Sequence, residues 1–245
     1  MRKLLQLFLL LLPLLLLSCS RQPAGKGWLR LSFTAVDAVE ESVKGQLSDY
    51  GCTLPAAEDF SLKVKMPLGQ VFWEGSLTDW TREIGLVEGA YTVEAAWGQE
   101  GEEGFNKPRF AAVQTVQIVA DTQQDVVLSA KLANCMVKVA RTELFDNYFK
   151  DCALRLTTGA GTVIPLDEAE SRPVFIEAYR FSLSGTVTAV QTGKQYELGK
   201  TVDAGLRPAT CYTLLLDVDS VGGLKVMIHF DDEVTTVNLE EDMYE

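Results

Sequence analysis

Histidine is nearly absent: the 245 residues contain one, His229. A Ser-His-Asp or Cys-His catalytic site would have to use it, and no glycine-flanked serine elbow stands near to supply a nucleophile. Phosphate-cradling patterns are missing as well, since neither G-x-G-x-x-G nor a P-loop occurs, which argues against nucleotide chemistry. The five cysteines form no C-x-x-C, so the chain carries neither a redox pair nor a zinc ribbon. No apolar run reaches the roughly 20 residues that a helix needs to cross about 30 Å of hydrocarbon. Cations are scarce: 22 Lys and Arg stand against 34 Asp and Glu. That balance disfavours nucleic-acid backbones and anionic membrane surfaces as partners. No cofactor, metal or nucleic acid is expected, and the chain reads as a non-enzyme.

What is present begins at the N-terminus. Arg2 and Lys3 precede the apolar run Leu4 to Leu17, which ends in Leu16-Leu17-Ser18-Cys19. This is the layout of a lipoprotein signal: a basic start, a short apolar core, and a small residue before a cysteine. Residues 1–18 are expected to be the signal peptide, Cys19 the lipidated first residue, and residues 19–27 the lipidated cysteine and its tether. Several acyl chains on one cysteine hold a protein to a bilayer durably, because each buried methylene adds about 0.8 kcal/mol. The localisation that follows is the outer membrane. Removing residues 1–18 takes two cations and no acid, which lowers the net charge from −12 to −14.

The mature chain reads as strands. Phe60, Leu62, Val64 and Met66 alternate with Ser61, Lys63 and Lys65, the period of a half-buried strand. The same period recurs at Leu29/Leu31/Phe33, Tyr91/Val93/Ala95/Trp97, Val126/Leu128/Ala130/Leu132, Cys135/Val137/Val139, Tyr212/Leu214/Leu216/Val218 and Val226/Ile228/Phe230. Short strands bounded by turns predict an all-β chain of two tandem antiparallel β-sandwich domains, 28–132 and 133–245. Ser220-Val221-Gly222-Gly223 reads as a hairpin turn, and Gly98 to Arg109 as a solvated loop. Asp37 to Gln46 and Glu143 to Lys150 are candidate short helices.

Candidate functional residues are few. Cys52, Cys135, Cys152 and Cys211 are possible disulfide cysteines, and four cysteines allow three pairings that sequence cannot choose among. Buried free thiols are the equal alternative. Acidic runs at Glu102/Glu103, Asp231/Asp232/Glu233 and Glu240/Glu241/Asp242 read as solvated rather than catalytic, because adjacent charges in loops lack the burial that raises an acid's pKa. Asp217-Val218-Asp219 lacks the bidentate glutamate of a calcium loop. Trp73 and Trp80, flanking an expected turn, are possible ligand-binding residues able to stack on a sugar.

The stretches Asp59-Phe60-Ser61-Leu62-Lys63-Val64, Leu86 to Ala95, Pro108-Arg109-Phe110 and Leu132 to Val139, in that order and spacing, resemble an uncharacterised family of Bacteroidales lipoproteins that is fimbrillin-like in look. The resemblance covers Gly27 to the C-terminus. It implies a tandem transthyretin-like or Ig-like sandwich in the cell envelope, offers no catalytic residues, and suggests β-strand addition between subunits. Surface-displayed members carry acidic residues after the lipidated cysteine, whereas here Ser20-Arg21-Gln22-Pro23 follow it, which leaves both the cell surface and the periplasmic face open. Two functions are thus expected: adhesion or fimbria-like assembly with other envelope proteins, or glycan binding through Trp73 and Trp80. A direct check of the anchor is growth with labelled palmitate. Wild-type protein should take up label and partition into detergent, the Cys19→Ser variant should do neither, and label retained in the variant would overturn the assignment.

Overall fold

The structure is a computed structural model that describes residues 25–37, 46–81, 83–203, 205–219, 225–230 and 233–238. The signal peptide, Cys19 and the tether up to Ala24 lie outside the described residues, as do Ser220 to Leu224, Asp231/Asp232 and Glu240 to Asp242. So does most of the candidate helix Asp37 to Gln46.

The chain is built almost wholly of strands. In its first half these are β1 (Lys26–Ala35), β2 (Ser61–Lys65), β3 (Val71–Ser76), β4 (Gly85–Val87), β5 (Gly89–Trp97), β6 (Gly104–Phe105), β7 (Phe110–Ile118) and β8 (Gln123–Leu132). The second half holds β9 (Cys135–Arg141), α1 (Glu143–Tyr148), β10 (Phe149–Thr158), β11 (Val163–Leu166), β12 (Val174–Ile176), β13 (Phe181–Ala189), β14 (Gln195–Val202), β15 (Cys211–Asp219), β16 (Lys225–Phe230) and β17 (Glu233–Asn238). The alternation read from sequence is the burial observed: Leu62 and Val64 are inside on β2, and Val126, Leu128, Ala130 and Leu132 on β8.

The two halves repeat one topology. The first has the order β3-β2-β5-β7 and then β8-β1-β4; the second has β11-β10-β13-β14, and β15-β9-β12 in its other sheet. In each, the opening strand runs parallel to the seventh of the common set, β1 beside β8 and β9 beside β15, while the remaining pairings are antiparallel. A parallel pair needs a long crossover, and five or more intervening strands provide it. The second half adds β17-β16 outside β15 and borrows β6 from the first half outside β12. Gly98 to Arg109 is therefore not the solvated loop expected: Gly104 and Phe105 pair with Phe175 and Val174, and Phe105 packs on the second core.

The halves meet where β9 and β15 begin, alongside β12. Successive strand residues point to opposite faces. Cys135, Val137, Val174, Ile176 and Tyr212 thus face the second core, while Met136, Phe175 and Cys211 enter the first. Polar groups close the seam. Asn134, 1% exposed, accepts from Arg109 N–H at 3.2 Å and donates to Lys107 O at 2.8 Å. Arg109 donates to both oxygens of Glu177, at 3.1 and 2.9 Å, the bidentate geometry that makes such pairs strong.

All four tryptophans lie before Leu132, so their fluorescence reports the first half. Met136→Ala, made in the second half, removes a side chain buried in the first core and should cost about 2–5 kcal/mol. Tryptophan fluorescence in urea should show the fall; an unchanged midpoint would mean that the seam does not couple the halves.

Candidate functional site

Backbone direction decides which strand edges are open. Trp28 N–H and Val36 N–H donate to Thr122 O and Ala130 O at 2.9 and 2.8 Å. Even-numbered residues of β1 therefore face β8, and odd-numbered ones face away. β4 covers that outer edge only from Lys26 to Trp28. Beyond it Leu29 O accepts from the Trp80 indole N–H at 3.0 Å. Leu31 and Phe33 then border a shallow pocket of about 150 Å³ completed by Ala57, Leu77 and Trp80.

The repeat places the same feature in the second half, larger. Met136 N–H and Thr142 N–H donate to Thr210 O and Leu216 O at 2.9 and 3.0 Å, so even residues of β9 face β15. β12 pairs with β9 from Cys135 to Val137. Val139 and Arg141 lie past that register and border a groove of about 520 Å³. Cys152 and Leu154 of β10 and Leu166 of β11 line its floor, and Asp167 to Arg172 its far wall.

Charges in this groove are satisfied locally. Arg141 contacts Asp146 at 3.0 Å and Glu168 at 3.5 Å, and donates to Glu168 O at 2.9 Å. Arg172 holds both oxygens of Glu170, at 3.0 and 2.7 Å, which brings the Glu170 carboxyl down to about 2. Burial pushes the Cys152 thiol up, with Arg141 opposing the shift. The groove offers a backbone edge and an apolar floor, the two elements that an added strand uses.

The sequence candidates are not gathered into one site. Cys52, Cys135, Cys152 and Cys211 are each buried, and none of them is in a disulfide. Cys135 and Cys211 sit on adjacent strands but face opposite cores, so their thiols do not point at each other. Trp73 and Trp80 do meet, edge to face with ring centroids 5.2 Å apart. Trp80 is 9% exposed with its indole N–H engaged, and the Trp73 ring folds over Gly75, where a Cβ would come within 2.9 Å. Glu103 is held rather than solvated: its Oε1 accepts from Glu177 N–H at 2.9 Å and from the Tyr179 hydroxyl at 3.4 Å. Among the described residues, no group of three or more His, Cys, Asp and Glu is placed to hold a metal ion. Sequence reasoning passed over the β9 edge because Val139 and Arg141 look like any strand pair. The shortness of β12 beside a seven-residue β9 was the available signal.

His229 of β16 lies 4.0 Å from Asp217 of β15. The Thr142 hydroxyl donates to Asp217 at 2.7 Å and accepts from Phe145 N–H at 3.1 Å, capping α1. The Thr142 hydroxyl first, then Val218 N–H and His229, hold the Asp217 carboxyl below its usual value. A depressed carboxyl contributes stability above its unfolded pKa of about 3.9, lost as pH falls through the folded value. Thr142→Val removes cap and hydroxyl together and should cost about 0.5–2 kcal/mol at pH 7. Urea titrations should show a smaller loss near pH 2; an undiminished loss would leave only the cap.

Three comparisons place the chain among known proteins. The family model described as a domain of unknown function (DUF4493) matches residues 25–243. No curated protein matches. Among solved structures, the fimbrial anchor protein Mfa2 from Porphyromonas gingivalis is 14% identical, with a TM-score of 0.39 over 85% of this chain and 98% of that one. A protein provisionally named a cell adhesion protein, from Bacteroides eggerthii, is 10% identical, with a TM-score of 0.42 over 88% and 96%. Another, provisionally named an adhesin, from Bacteroides thetaiotaomicron, is 11% identical, with a TM-score of 0.41 over 89% and 100%.

Proposed function

The chain belongs to the family described as a domain of unknown function (DUF4493), and from that premise we propose that it is a non-enzymatic envelope lipoprotein acting in adhesion or fimbria-like assembly through protein contacts. The observation that carries this reading is the uncovered edge of β9 at Val139 and Arg141 beside a groove with an apolar floor. An extended segment of a partner laid there would exchange main-chain hydrogen bonds with the edge, and every second side chain would enter the groove. Backbone pairing provides affinity that tolerates sequence change; the floor at Leu154 and Leu166 selects apolar side chains. Lipid chains on Cys19 would hold the protein at the outer membrane, on its outer or its periplasmic face. Glycan binding has less support, because a stacked sugar needs an open ring face and Trp80 lies in the core.

Val139→Pro tests this. Proline removes the one N–H that residue 139 aims outward and leaves the even-numbered donors to β15 in place. The expected result is loss of the protein from large envelope complexes on native gels while the purified variant still unfolds cooperatively. Complexes of unchanged size and abundance would overturn assembly through this edge.

A further inference from the structure

Half of the large apolar side chains that stand exposed among the described residues gather at one end of the first sandwich. The register places that end. Lys65 pairs with Thr92, Gly89 with Ile118, Trp28 with Gln123 and Lys26 with Val87. The β2–β3 turn, the β4–β5 turn, the β7–β8 turn and the start of β1 therefore share one rim. Hydrogen bonds tie them: Glu88 N–H donates to Gly25 O and Asp121 N–H to Lys26 O, both at 2.9 Å. On this rim Leu68 is 91% exposed, Val71 48%, Val119 47%, Val87 43%, Phe72 39% and Trp28 37%. The hairpin tip Met66-Pro67-Leu68-Gly69-Gln70-Val71-Phe72 carries no charge, where a turn facing water would ordinarily be polar.

We propose that this rim is a membrane-docking tip, with Leu68, Val71, Phe72, Val87 and Val119 seated in the interfacial layer of the bilayer that holds Cys19. The proposal rests on the reading of Cys19 as the lipidated residue. Gly25 lies on the rim, and the six residue-to-residue steps from Cys19 to Gly25 span at most about 20 Å fully extended. A lipid on Cys19 thus brings this end of the sandwich, and no other, to the membrane. The net charge of the mature chain repels anionic headgroups, so apolar contact is the force available to seat the tip. β8 leaves the rim at Gln123 and leads to the second half from its far end at Leu132. Ten residues of strand span about 33 Å. Seating the rim therefore holds the β9 groove about one sandwich length from the bilayer, facing partners rather than lipid.

The test imposes the anchor chemically. The chain from Cys19 onward is coupled through that thiol to maleimide-bearing phosphatidylethanolamine in phosphatidylethanolamine–phosphatidylglycerol vesicles; the other four thiols are buried. Amide hydrogen exchange should slow several-fold in residues 66–72 and 118–122 on vesicles relative to the free protein, with residues 159–162 unchanged. Leu68→Asp combined with Phe72→Asp, coupled to the same extent, should lose that protection. Equal exchange on and off vesicles in the unsubstituted chain would overturn the docking tip. Whether protein recovered from cells carries acyl chains on Cys19 is read separately by mass spectrometry, and their absence would overturn the lipoprotein reading whatever the exchange shows.

Discussion

The structure depends on a short wall that is buried on both sides. Cys135-Met136-Val137, Val174-Phe175-Ile176 and Thr210-Cys211-Tyr212 are three neighbouring strand segments in which every residue is buried. Antiparallel strands of a sandwich usually keep one face wet, whereas strands covered on both faces read as continuous apolar runs. Here the two cores share the wall, so neither half closes without the other. The clamps around it follow from that: a buried Asn134 tied to the 107–109 segment, and the Arg109–Glu177 pair, satisfy polar groups that the seam would otherwise strand away from water.

The repeated topology explains which strand edges stay open. In each half the short strand beside the opening strand covers only its first three residues, which leaves the rest of that edge to other devices. In the first half the Trp80 indole takes the Leu29 carbonyl and the remaining pocket is small. In the second half the segment Asp167 to Arg172 stands off from β9, and the groove is wider. β16 and β17 extend the sheet beyond β15, and β6 caps β12, as proteins must do to avoid indiscriminate pairing. The β9 edge differs from the sheets' terminal edges in that it opens into a groove, bordered by Val139 and Arg141 and floored by Cys152, Leu154 and Leu166.

Much of the fold was legible in the residues. The alternation on β2, β5, β8, β15 and β16 predicted each strand and its buried face, because two residues of extended backbone return a side chain to the same side regardless of context. The short helix at Glu143 was legible through its apolar spacing. The segment Gly98 to Arg109 was misread, since its glycines and glutamates describe a solvated loop until Glu103 and Arg109 find Glu177. Trp73 and Trp80 were equally ambiguous: an amphipathic ring reads the same whether it stacks on a sugar or on another indole.

What the sequence by itself determined was the class of the protein: an all-β chain, acidic, with one histidine and two rounds of alternating strands. These are properties of composition and of residues two apart. What only the tertiary structure decided was which strand edges stay open, which faces are shared between cores, and which turns collect on one rim. Arg109 and Glu177 are 68 positions apart, and β1 meets β8 across nearly a hundred residues. Pairing at that range is set by the order of strands in the sheets, and strand order is a consequence of burying both cores at once rather than of any local pattern.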